Sequence, residues 1–237
     1  MTYMEILPVI PASSDTSRTR KVCRALIRNA LPAALPAILL CSLFFISWTA
    51  PVSAGPVVTA EEALTGAAIF SLSLSYDQAI SSSLQSWQNP VVLGSSRLLH
   101  NVGYSAGVAL TLGGIYLADE ETGIDAIKSV LLTQAAVNVG KVLLGRERPD
   151  TENSRGRFTG MSFDDAYHSM PSGHTATAFS LATVLAHHDP KRSWLYYGYA
   201  TVMGLSRVVL ARHWPSDVVA GAFIGIISAR LVLDAGD

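Results

Sequence analysis

Apolar runs rich in Gly, Ala and Ser recur down this chain at 63–74, 102–118, 126–144, 175–186, 194–211 and 218–233. None of them sustains the period-2 alternation of a half-buried strand, so each is predicted to be a helix. Breakers and chargeable residues fall between the runs, at Asp119-Glu120-Glu121-Thr122-Gly123, His188-Asp189-Pro190 and Arg212-His213-Trp214-Pro215. Such residues belong where a chain leaves one helix and enters the next. The expected fold is all-α: an antiparallel helical bundle of about six core helices with short connections. One connection departs from this pattern. Residues 150–170 are long and polar, either an active-site flap or a surface excursion.

Charge is sparse, 15% of 237 residues against about a quarter in an ordinary globular chain, so most of the sequence is available for apolar packing. The formal charge of −1 divides into five basic and two acidic residues over 1–54, and twelve and sixteen over 55–237. That distribution leaves no basic face for a nucleic acid. Arg18, Arg20, Lys21, Arg24 and Arg28 precede an uncharged run over 30–58, and Val52-Ser53-Ala54 supplies small residues near its end. This is the pattern of an export signal cleaved after Ala54, or of an uncleaved anchor helix, since about 20 apolar residues also span a bilayer. On either reading the following residues leave the cytosol. Both cysteines, Cys23 and Cys41, lie in this leader, so a processed chain has no disulfide, and Leu40 stands where a lipoprotein site wants a small residue.

Most later runs are shorter than a usual membrane span. Two features pull the other way: the run over 102–118 is entirely uncharged, and helix parity counted from it puts all the chemistry-bearing segments on the side reached by the residues after the leader. Lys191-Arg192 would then be cytoplasmic, as the positive-inside rule asks, but so would the acidic stretch 119–125, which carries no such bias. The expectation is an exported, membrane-associated protein whose site faces the periplasm or exterior.

Three segments carry the chemistry. Lys141 and Arg148 lie seven residues apart, two helical turns on one face if the helix continues through Gly145; Arg offers a planar fork to phosphate oxygens and Lys a point charge. Without the other segments, Arg146-Glu147-Arg148 would read as a solvated helix end. Pro171-Ser172-Gly173-His174 opens an Ala-rich run, placing Ser172 near an N-cap, free N–H groups toward an anion, and His174 within reach of a leaving oxygen as general acid. Gly173 lets the backbone approach closely. Arg207 lies near the end of the next helix, His213 follows where it stops, and Pro215 starts another with Asp217 in its first turn. A lone Asp there is usually a dipole-compensating cap. Four residues after His213 it is also placed to accept a proton from one imidazole nitrogen and leave the other as nucleophile. His100, His168, His187 and His188 have no such partners in sequence, although His168 lies close enough to His174 to tune it.

Together these residues resemble the type-2 phosphatidic acid phosphatase superfamily, which includes bacterial acid phosphatases and vanadium haloperoxidases, with the likeness running over about 102–233. The resemblance implies a metal-free phosphatase with no cofactor. His213 would attack phosphorus to give a phosphohistidine, oriented by Asp217, and His174 would protonate the leaving oxygen and later activate water. Lys141, Arg148, Ser172, Gly173 and Arg207 would hold the transition state. The substrate is a lipid phosphate, a lipid pyrophosphate or a soluble phosphate ester; a vanadate-dependent oxidase or a silent binding member are the alternatives. The domain reading is a leader over 1–54, an N-terminal helical segment over 55–100 and a catalytic bundle over 101–237.

Overall fold

The computed structural model describes residues 57–86 and 88–236; the expected leader and both cysteines lie outside them. Among these residues seven α-helices follow in order: α1 (Ala60–Gln85), α2 (Pro90–Val102), α3 (Ser105–Ala118), α4 (Glu120–Leu144), α5 (Gly173–His188), α6 (Ser193–Val209) and α7 (Pro215–Asp234). Among the described residues β-structure is limited to isolated bridges. The ends follow local chemistry. Thr59 and Glu62 form a reciprocal capping box at α1, Asn89 Oδ1 accepts the N–H groups of Val91 and Val92 at 3.0 Å, and Asp119 accepts from Thr122 N–H at 2.8 Å, each satisfying donors that a first helical turn leaves open. The apolar runs do not mark α2; its signal is Asn89-Pro90, a cap followed by the residue suited to the first helical position.

Helix α4 does not continue to Arg148. Gly145 takes a left-handed conformation, φ 52°, and a Cβ there would fall 1.7 Å from the Gly160 carbonyl oxygen, so only glycine fits this terminus. Lys141 therefore sits in the last turn of a helix and Arg148 in the extended segment beyond it, not two turns apart on one face as the spacing predicts.

Helix α5 packs against α4, α6 and α7, and α7 also packs against α1 and α4. The α5–α7 seam is closed by glycine: Cβ atoms at Gly221 and Gly225 would lie 2.5 Å from Ser172 O and 2.2 Å from Ala176 O, so the two backbones meet where any side chain would force them apart. Ile69, Phe179, Tyr197, Met203 and Ile226 fill the core beside this seam. A fully buried side chain of that size contributes about 1.5–3 kcal/mol.

The long connection is tied down rather than floppy. Arg146 bridges to Phe158 and His168. Backbone bonds run from Glu147 N to Arg157 O, Arg148 N to Ala166 O and Ser169 N to Arg146 O, all at 3.0 Å. The buried Glu147 accepts from Arg157 Nη2 at 2.9 Å, and Trp214 Nε1 donates to the Glu147 carbonyl at 2.9 Å.

Candidate active site

The expected residues meet at the end of the bundle where α4 stops, α5 starts and α6 turns into α7. Ser172 is the N-cap of α5, and Gly173 and His174 are its first two residues. Arg207 is in the last turn of α6, His213 in the turn that follows, and Asp217 in the first turn of α7. Lys141 and Arg148 bring their charges to His213, and Arg207 brings its charge to His174. The first turn of α5 has no side-chain cap, so its N–H groups stay open to an anion. The Ser172 hydroxyl lies 2.9 Å from Thr175 Oγ1. At Gly173 a Cβ would meet only Val137 and Gln134 at 3.6 and 3.9 Å, so the protein's own packing does not demand glycine there.

Arg207 is 2% exposed, yet its Nε and Nη1 have no hydrogen-bond partner. Buried donors are almost always paired, and an unpaired buried charge is costly. Arg148, by contrast, is held: Nε donates to Asp165 O and Nη2 to Asp165 Oδ1, both at 2.8 Å, and Nη1 lies 3.3 Å from Arg212 O.

The His213 ring faces a different partner from the expected one. Its Nδ1 lies 2.6 Å from the Ser169 carbonyl oxygen and 3.7 Å from Asp217 Oδ2, too far for a hydrogen bond. A carbonyl only accepts, so Nδ1 carries the hydrogen and Nε2 keeps its lone pair. Burial pushes His213 down to about 4, with the Lys141 and Arg148 charges adding to the effect against the pull of Asp217, which leaves the ring neutral near pH 7.

Asp217 is fully buried and serves as a hub for the turn. Its Oδ2 accepts from Trp214 N–H at 2.8 Å and from Ser169 Oγ at 2.5 Å, while Oδ1 accepts from Arg146 Nη1. It thus holds both residues that frame His213, Ser169 before it in sequence and Trp214 after it.

Two residues behind this hub are absent from the sequence-derived site. Arg146 is 2% exposed, donates to Ser216 Oγ at 2.7 Å, and binds Asp77 of α1 as well as Asp217. Its guanidinium lies 4.9 Å from the Phe158 ring centroid and 5.8 Å from that of Trp214. Asp77 in turn accepts from Ser216 N–H at 2.8 Å and Ser216 Oγ at 2.6 Å. The reading of 146–148 as a solvated helix end fails, since all three residues are buried. No pattern within 146–148 separates Arg146 from Arg148, and Asp77 lies 69 residues from its partner. A lone Asp in a Ser-rich helix carries no signal by itself.

His174 is half-buried, and its ring is held neutral. Desolvation comes first, then the charges of Arg207, His213 and His100, pushing it down to about 3. His168 turns instead to the Ser162 carbonyl, 2.9 Å away, and His188 to Asp125 at 3.1 Å. Among the described residues no group of three or more His, Cys, Asp or Glu side chains could hold a metal ion.

Two buried guanidinium groups, Arg148 and Arg207, thus stand about the two histidines where helices of an all-α bundle meet. Residues 123–236, just under half of the chain, match the model of the PAP2 superfamily, and it is this segment that is similar to that family. A lipid A 1-phosphatase of Porphyromonas gingivalis is 42% identical over 99 residues, 40% of this chain and 19% of that protein. A non-specific acid phosphatase of Salmonella typhi is 39% identical over 85 residues, 35% of this chain and 30% of that protein. The chain thus spans less than a third of either relative. The crystal structure of Aquifex aeolicus LpxE superposes with a TM-score of 0.57 at 23% identity, covering 66% of this chain and 94% of that one, which establishes the shared fold.

Proposed function

We propose that the chain is a phosphatase that acts through a phosphohistidine on His213 without a metal ion. The observation that carries this reading is Arg207, a buried guanidinium with two unpaired donor atoms whose charge acts on the His174 ring; a bound phosphate offers those donors their acceptor. Lys141, Arg148, the Ser172 hydroxyl and the open N–H groups at Gly173 and His174 complete the cradle. Nε2 of His213 attacks phosphorus, the P–N bond forms as the P–O bond breaks, and the leaving oxygen takes a proton from His174. His174 then removes a proton from water, whose oxygen attacks phosphorus and breaks the P–N bond. The positive charge that His213 acquires on attack is stabilised by Asp217 across 3.7 Å and by the Ser169 carbonyl. In the free protein the surrounding cations keep His174 neutral; a bound phosphate dianion offsets them and lets the ring hold the proton it donates.

The preferred substrate class is a lipid phosphate or pyrophosphate. Helix α3 is apolar and uncharged with no buried residue, and α4 and α7 are long and apolar enough to cross a membrane. Leu64, Val91, Leu110, Leu117, Leu131 and Trp194 are strongly exposed, an apolar surface that water does not favour. The reading includes export, with the site outside the cytosol. The acid phosphatase likeness supports a soluble ester as the second reading.

The test uses the full chain in detergent with a ³²P-labelled substrate and rapid quenching. The label should be acid-labile and base-stable, map to His213, vanish in His213→Ala and survive EDTA. Label on Ser172, or activity lost to EDTA and restored by Mg²⁺, refutes the mechanism. Equal activity on lipid and soluble phosphates with no detergent requirement favours the soluble ester.

A further inference from the structure

His100 is the imidazole that the reaction above leaves unused. It stands in the last turn of α2, well before the segment matching the family model, and its Nδ1 lies 3.1 Å from His174 Nε2. The ring centroids are 5.0 Å apart, tilted by 34°, so the rings meet through their nitrogens rather than by stacking. The fold is cut to allow the contact. A Cβ at Gly103 would sit 2.6 Å from His174 Cδ2 and 3.1 Å from Met203 Cε, so the glycine that ends α2 leaves the space in which the second ring lies. The Tyr104 ring meets His100 edge-on at 5.8 Å.

Two imidazole nitrogens at this distance hold one hydrogen between them: one donates and the other accepts. Both rings are half-buried. We propose that His100 is a positioning residue for His174, fixing that ring through the Nδ1···Nε2 hydrogen bond and loading it with the proton that goes to the leaving oxygen. The proposal rests on His174 as the acid of the phosphohistidine mechanism above. Protons balance. Solvent protonates His100 at Nε2, and the Nδ1 hydrogen crosses to His174 Nε2. As the P–O bond breaks the leaving oxygen takes the hydrogen on the other nitrogen of His174, Nδ1, and departs as the alcohol, and both rings are neutral again. In the second half-reaction His174 accepts a proton from the attacking water and returns it through His100. The charged and titratable groups acting on the pair are Arg207 and Arg212 on His100, and Arg207 and His213 on His174. All three lie on α6 or in the turn after it. The Arg207 and Arg212 charges oppose an added proton on the pair, so an incoming phosphate dianion is what draws it in.

The experiment compares kcat/KM on p-nitrophenyl phosphate and on an alkyl phosphate across pH 5 to 9, for the full-length wild type, His174→Ala, His100→Ala and His100→Asn. Nitrophenolate leaves with little help, whereas an alkoxide needs the proton, and general acids contribute roughly 10²–10⁴-fold. His100→Ala should lose at least ten times more on the alkyl ester than on the nitrophenyl ester, shift the pH profile for the alkyl ester alone, and recover on adding imidazole. His100→Asn keeps a polar group near the Nδ1 position but cannot relay; it should show the same split without imidazole rescue, and it remains informative if the alanine variant does not fold. A split in His174→Ala with none in either His100 variant overturns the role of His100 alone. No split in His174→Ala overturns the acid assignment and this proposal with it.

Discussion

Replacing Arg146 with Met tests whether the turn that carries His213 is held by the buried ion cluster. Arg146 stands between two carboxylates, Asp77 and Asp217, so its loss strands both in the interior. Breaking a buried pair by removing one partner costs about 3–5 kcal/mol, and the lost contact with Phe158 and Trp214 adds roughly 0.5–2 kcal/mol. A loss of at least ~4 kcal/mol is a large share of the 5–15 kcal/mol typical of a domain. For a chain of this size it lowers Tm by roughly 8–16 °C. Arg146→Lys keeps the charge but not the fork, and should recover part of the loss. The double variant Asp77→Asn/Arg146→Met should be less damaged than the sum of the two single changes, because only one carboxylate is then stranded. Thermal melting in a fixed detergent compares wild type with Arg146→Met, Arg146→Lys, Asp77→Asn and the double variant. An Arg146→Met protein within about 1 kcal/mol of wild type, or strictly additive single effects, would show that the cluster does not hold this turn.

Asp217→Asn should lower kcat by less than the ~10⁴-fold seen where the carboxylate binds the imidazole directly, because Ser169 O holds the Nδ1 hydrogen here; a loss of that full size would restore the direct contact. Arg207→Met should stabilise the free protein, by about 1–3 kcal/mol for a buried unpaired group, while abolishing the rise in Tm that vanadate gives wild type; a destabilised variant that still binds vanadate contradicts the cradle. Stability of the free protein should fall with acid. His213 sits near 4 and His174 near 3 when folded, both below the ordinary imidazole value of 6.5. The unfolded chain therefore binds protons first, and the stabilisation present above pH 6.5 is lost toward pH 3 to 4. Tm measured from pH 7 to 4 checks this, and a flat profile would mean that the rings are not held neutral.

The fold was legible because helices announce themselves locally: apolar runs, breakers between them, Pro215 at a helix start. All the expected phosphate-site residues come together for the same reason, each lying at a predicted helix boundary. The partner of His213 was not legible. A spacing of four residues is compatible with contact, but the bond goes to a backbone carbonyl 44 residues away, and every residue type has one of those. Asp77 and His100 were hidden for a related reason. Their partners are brought to them by packing of α1 and α2 on α7 and α6, which no local pattern encodes. The burial of residues 146–148 was not legible because charge next to a helix end ordinarily means solvent, whereas here the long connection folds back over them.

Asp77 and His100 both precede residue 123, where the family match begins. The recognisable segment is thus not a transplantable unit. A chimera that grafts residues 123–236 onto the first helices of a relative inherits Arg146 and His174 without their partners, unless the donor helices also present an acid and an imidazole at the matching heights. Drift in the two parts is coupled in the same way: α1 and α2 can change their outward faces freely, but at these two positions they must change together with a segment far downstream.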